Sequence, residues 1–116
     1  MKKANRLRKD RDFRRVYRRG RSLSNRYLVL IYKKNGLEDT RIGFSISKKF
    51  GKAVERNRIK RQLRSICREY LPDLKRGYDM VFVVRAESKQ ADYNELNNSV
   101  YELLKRAKLY REIEVD

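Results

Sequence analysis

Histidine and tryptophan are absent from this 116-residue chain, cysteine and proline occur once each, and glycine five times. Two of these scarcities remove a class of function. Without histidine, the commonest general acid/base is missing. The single Cys67 permits neither an internal disulfide nor a multi-cysteine metal site. No apolar run approaches the roughly 18 residues that span a bilayer. The opening MKKANRLRKD is charged with no apolar block behind it, so it does not read as a secretory signal. These absences point to a cytoplasmic protein. Lys48-Lys49 and Ser45/Ser47 belong to no phosphate-loop pattern. Asp10 and Asp12, the one close acidic pair in the first half, point apart on a helix, which argues against a two-metal nuclease centre. Zinc-finger spacing, a heptad seam and a helix-turn-helix signal are also missing. With no repeat, low-complexity tract or linker, residues 1–116 read as one domain of ordinary size.

What is abundant is positive charge. Lys and Arg number 32 against 15 Asp and Glu, a net charge of +17. Residues 1–61 carry 22 basic and 5 acidic side chains, whereas residues 62–116 carry 10 of each. The whole excess lies in the first half, an uneven electrostatic footprint of the kind a polyanion selects. An anionic membrane would ask for an amphipathic helix with large exposed apolar residues. Nucleic acid is the better match.

Residues 1–9 read as a basic, mobile arm. A helix is expected over Asp10–Arg19, with Asp10 as N-cap and Gly20 as its stop. Phe13, Val16 and Tyr17 stand at i, i+3 and i+4 on one apolar-aromatic face. YLVLIYKK, residues 27–34, reads as a strand, Asn35-Gly36 as a turn, and RIGFSIS, residues 41–47, as a second strand. Ser22 to Ser24 adds a short edge strand. A helix follows over Ala53–Tyr70, ended by Pro72. YDMVFVVR, residues 78–85, has the apolar continuity of a buried central strand. Asp92 and Glu95 form a capping box for the last helix. Its stripe of Tyr93, Leu96, Val100, Leu103, Leu104, Ala107 and Tyr110 is assigned to the core. The pattern is α+β, a small sheet covered by helices.

The central helix carries the densest charge. At about 100° per residue, Ile59, Leu63, Ile66, Cys67 and Tyr70 share one arc that suits packing on a sheet. Cys67 is thereby expected as a buried structural residue. Asn57, Arg58, Lys60, Arg61, Arg64 and Arg68 fill the adjoining arc. Like charges at i and i+4, such as Lys60 and Arg64, cost a few tenths of a kcal/mol each, so their accumulation points to an external partner. Arginine forks suit phosphate oxygens. Phe13, Tyr17, Tyr27 and Tyr32 lie among the cations Arg14, Arg18, Arg26 and Lys33, which favours RNA with unpaired bases over duplex DNA.

SKKFGKAV followed by RNRIKR, residues 47–61, resembles the signature of the bacterial ribonuclease P protein subunit. The resemblance extends to NRLRKDRDFRRVY, RSLSNRYLVL and RIGFSISKK, and so over nearly the whole chain. It implies a subunit that joins a large catalytic RNA to remove the 5′ leader of precursor tRNA. The RNA carries the chemistry and most of the divalent metal, Mg. The implied fold is a mostly antiparallel four-stranded sheet with three helices in the order α-β-β-β-α-β-α. It also implies a left-handed β-α-β crossover, where ordinary topology rules give a right-handed one. By position, the resemblance places Lys52, Arg56, Asn57, Arg58, Lys60, Arg61, Arg64 and Arg68 against the catalytic RNA. Phe13, Arg14, Tyr17, Ile31 and Lys48 would meet the substrate leader. Ile31 stands where some members carry an aromatic, and Tyr17 where Phe also occurs. No activity is expected from the protein alone. The competing readings are a general RNA-binding or ribosome-associated module and a protein-only metal-dependent nuclease.

Overall fold

Alternation along one strand organises the molecule. The structure, a computed structural model, describes residues 1–111. In the strand Tyr78–Val84, Met80, Phe82 and Val84 face one side of the sheet and Val81 the other. Calling the strands β1 (Arg21–Ser24), β2 (Leu28–Lys34), β3 (Arg41–Ser45) and β4 (Tyr78–Val84), their order is β1-β2-β4-β3. β4 is therefore central, as its apolar run predicts. β1 with β2 and β2 with β4 are antiparallel, while β3 and β4 are parallel neighbours. Parallel neighbours require a crossover, and the helix α2 (Ala53–Tyr70) supplies it. The sheet is mixed and mostly antiparallel, flanked by α1 (Asp10–Arg19), α2 and α3 (Tyr93–Arg106), in the expected order.

The main core lies between the sheet and the pair α2 and α3. Leu28, Leu30, Ile42, Met80 and Phe82 meet Ile59, Leu63, Ile66, Leu96, Val100 and Leu103 there. A smaller cluster on the other face joins Val81 to Leu7 and Val16, with Phe13, Ile31 and Val83 at its margin. α1 thus has a face of the sheet to itself.

Local chemistry explains where the boundaries depart from expectation. Asp10 is the first helical residue of α1; the N-cap is Lys9, with no side-chain cap. Gly20 does end α1, in an extended conformation that any residue adopts. It must be glycine because a Cβ would lie 2.5 Å from the Val16 carbonyl oxygen and 2.8 Å from Ile31 Cγ2. β3 stops at Ser45 because Ser47 caps the following turn: its Oγ accepts the Lys49 N–H at 3.2 Å. The Asn35-Gly36 turn, with Gly36 at φ +74°, leads out of β2 but makes no hairpin, since β4 lies between β2 and β3. The Asp92–Glu95 capping box forms as read. Tyr93 leaves the apolar stripe for the surface, where its hydroxyl pairs with Ser65 Oγ at 3.1 Å. Ala107 and Tyr110 lie beyond the last helical turn but still pack on the core.

The N-terminal segment differs most from its reading as a free arm. Leu7 is buried, its N–H donates to the Ile42 carbonyl at 3.0 Å, and Asn5 Nδ2 donates to the Thr40 carbonyl at 2.9 Å. Residues 5–7 are laid along the outer edge of β3.

Candidate nucleic-acid interface

Register places α1 along one row of the sheet. Gly43, Val81 and Ile31 are lateral partners on the face that α1 covers. Phe13 lies on Gly43, where an added Cβ would meet its Cζ at 2.5 Å; Val16 packs with Val81; Gly20 closes on Ile31. The next row on that face, Ser45, Val83 and Val29, is only half-buried. A cleft results, with this row as floor and α1 as wall. The wall presents Phe13, half-buried, and Tyr17, 43% exposed, with ring centroids 6.4 Å apart and planes at 47°. Such rings can stack on unpaired bases. Ile31 sits half-buried at the foot of the wall, and the exposed Lys48 follows the end of β3. Arg14 leaves this group: it shares a groove with Arg11, Arg15, Arg18, Arg19 and Lys33.

A charged clamp holds α1 in place. The Arg41 guanidinium donates to both carboxylate oxygens of buried Asp79, at 2.8 and 2.7 Å, and reaches buried Asp12 of α1 at 3.5 Å. The bond to Asp79 raises the pKa of Arg41, against its partial desolvation. Nothing in the sequence marks this triad, because its members come from three separate elements.

On the opposite face of the sheet, α2 divides as its periodicity requires. Ile59, Leu63, Ile66 and Cys67 are buried and Tyr70 is half-buried. Burial alone pushes the Cys67 thiol pKa far up, so it carries no nucleophile. Lys52, Asn57, Arg58, Lys60, Arg61 and Arg68 are exposed, and Arg56 and Arg64 half-buried. Among the described residues none of these cations forms an ion pair. Arg56 has a structural duty as well: its Nη1 donates to the Gly51 carbonyl at 2.6 Å and fixes the entry to α2.

The two surfaces meet around the β3 edge. Lys60 and Arg64 of α2 share a groove with Arg6 and Arg8, over Phe13 and Phe44. Arg6 and Arg8 are functional candidates that an expectation of a free arm over residues 1–9 does not single out. The available signal was alternation: with Leu7 anchored inward, both neighbours must face out.

For a metal ion, the protein offers little. Among the described residues no three His, Cys, Asp or Glu side chains come together, and the buried carboxylates Asp12 and Asp79 are taken up by Arg41. No step through a protein-held metal follows from these residues. No helix is long and apolar enough to cross a membrane among the described residues.

Comparison with known proteins places the sequence and the fold. The family model described as Ribonuclease P matches residues 1–108. The ribonuclease P protein component of Clostridium novyi is 51% identical, covering 95% of this chain and 99% of that protein. The component from Caldanaerobacter subterraneus subsp. tengcongensis is 45% identical, with 97% of each chain covered. The solved structure of the Staphylococcus aureus RNase P protein superposes with a TM-score of 0.87 at 34% identity, over 94% of this chain and 100% of that one. A match over almost the full length, in sequence and in fold, makes this chain a member of the ribonuclease P protein family.

Proposed function

We propose that the chain is the protein subunit of a ribonuclease P ribonucleoprotein, binding the catalytic RNA on one side and the leader of precursor tRNA on the other. The observation that carries this reading is the pairing of two unlike surfaces: unpaired α2 cations on one face of the sheet and an aromatic-walled cleft on the other, joined by the Arg6–Arg8–Lys60–Arg64 groove. Lys52, Asn57, Arg58, Lys60, Arg61, Arg64 and Arg68 neutralise phosphates of the catalytic RNA, with Arg56 shaping the helix entry. Phe13 and Tyr17 stack leader bases, Ile31 supports them, and Lys48 balances the leader's charge, while Arg14 stands apart from them in its own groove. The subunit contributes binding and no reacting group, since it has no histidine and its buried carboxylates are neutralised. The divalent metal, magnesium, is held mainly by the RNA, and the assembly works in the cytoplasm.

Reconstitution with the catalytic RNA tests this. The protein should raise cleavage of precursor tRNA at low magnesium and show none without RNA. Tyr17→Ala should weaken precursor binding by the equivalent of one lost stack, about 1–3 kcal/mol, with mature tRNA binding unchanged. Equal losses for both tRNAs in the folded variant would remove Tyr17 from leader recognition. Cleavage by RNA-free protein would remove the subunit reading altogether.

A further inference from the structure

α1 separates two different environments. By helix rotation Phe13 and Tyr17 share one flank of α1, whereas Asp12, on the other flank, meets Arg41 of the row Arg41–Asp79–Lys33. On that second flank Arg11, Arg14, Arg15, Arg18 and Arg19 form a groove with Lys33, and among the described residues no other lines it. Among the described residues the only ion pair made by these six is Arg15 to Asp12, at a loose 4.0 Å. Asp12 itself belongs to the Arg41 clamp. Arg11 with Arg15, Arg14 with Arg18 and Arg15 with Arg19 repel at i and i+4. The packing of α1 requires none of these cations, because Val16, Asp12 and Phe13 hold it down.

We propose that this groove is a third RNA-binding surface, which takes the sugar-phosphate backbone of a base-paired RNA segment. The lining decides the ligand class. Single strands are held by rings on which bases stack, and this flank has none; both α1 rings lie on the other side. A base-paired segment hides its bases and presents phosphates and ribose, recognised by shape and charge. Five guanidinium forks suit phosphate oxygens. The inference rests on RNA as the partner and not on the roles given to Phe13 and Tyr17.

The test compares the wild-type protein with Arg11→Gln/Arg18→Gln/Lys33→Gln. All three changes remove the charge but keep a polar side chain, and none touches the Arg41 clamp. Probes are a blunt RNA duplex of about 16 base pairs, a single-stranded RNA of equal length, and vesicles of acidic phospholipid, each titrated across salt concentration. Removing three contacts should lower the slope of log affinity against log salt for the duplex by about 2–3, near 0.9 per contact, with single-strand binding retained. An unchanged duplex slope overturns the proposal. Equal losses on duplex and single strand also overturn it, since the groove would then be part of the single-strand path. So does a loss confined to vesicles. Should circular dichroism show the variant misfolded, acetylation of the wild-type protein decides. Lys33 protected by the duplex and not by the single strand supports the groove; Lys33 equally reactive with and without duplex overturns it.

Discussion

Replacing Arg41 by Ala should be among the most damaging single changes outside the apolar core. Its side chain is 21% exposed, while those of Asp79 and Asp12 are 4% and 9% exposed. Without the guanidinium, Asp79 keeps one side-chain donor, Asn35 Nδ2 at 2.9 Å, and Asp12 keeps Arg15 at 4.0 Å. Removing one partner of a buried pair costs about 3–5 kcal/mol because the other charge stays behind. Partial access of water to Arg41 argues for the lower end, about 3 kcal/mol. Against a total stability of about 5–15 kcal/mol, that is a large fraction. It corresponds to a fall of roughly 12–18 °C in Tm at about 4–6 °C per kcal/mol for a domain of this size. Urea unfolding followed by circular dichroism, at fixed ionic strength, measures it. Arg41→Lys keeps the charge but loses the bidentate fork, so it should fall between wild type and Ala. Arg41→Met with Asp79→Leu removes both charges of the bidentate pair and should recover part of the loss. A loss below about 1 kcal/mol for Arg41→Ala, the range of exposed ion pairs, would refute the claim that this clamp seats α1.

Three further expectations follow from particular contacts. Gly20→Ala brings its Cβ within 2.5 Å of the Val16 carbonyl oxygen, so it should cost about 1–3 kcal/mol by overpacking; an unchanged urea midpoint would show that the end of α1 gives way freely. Cys67 should resist thiol reagents in the folded protein and react only at the rate of unfolding, because burial raises its pKa; rapid labelling under native conditions would contradict this. The Glu95 carboxyl is held below its ordinary value of 4.5, first by the Tyr27 hydroxyl and then by the Asp92 N–H. Its contribution is therefore present above that value and lost as pH falls through the lower folded one. The stability difference between wild type and Glu95→Gln should shrink on acidification through that window, and a difference independent of pH would count against it.

Periodicity made the helices legible, because burial of one face is a local property of spacing. α2 and its division into apolar and cationic arcs could be drawn from residues 53–70 alone, the capping box of α3 from residues 92–95, and the central place of β4 from residues 78–84. The motif around Arg56 to Arg61 carried the family, since it depends on consecutive residues. Pairing was a different matter. The turn at Asn35-Gly36 gives no sign that β4 will insert between β2 and β3, because neighbour choice depends on which long-range contacts bury most surface together. The same holds for the Arg41 clamp, assembled from α1, β3 and β4, and for the docking of Leu7 on β3. Arg14 shows the limit most plainly. In sequence it stands beside Phe13 and reads with the rings. On the folded helix, one residue's rotation of about 100° carries it out of the aromatic cleft and into the cationic groove, a separation that exists only because the sheet fixes which side of α1 faces down.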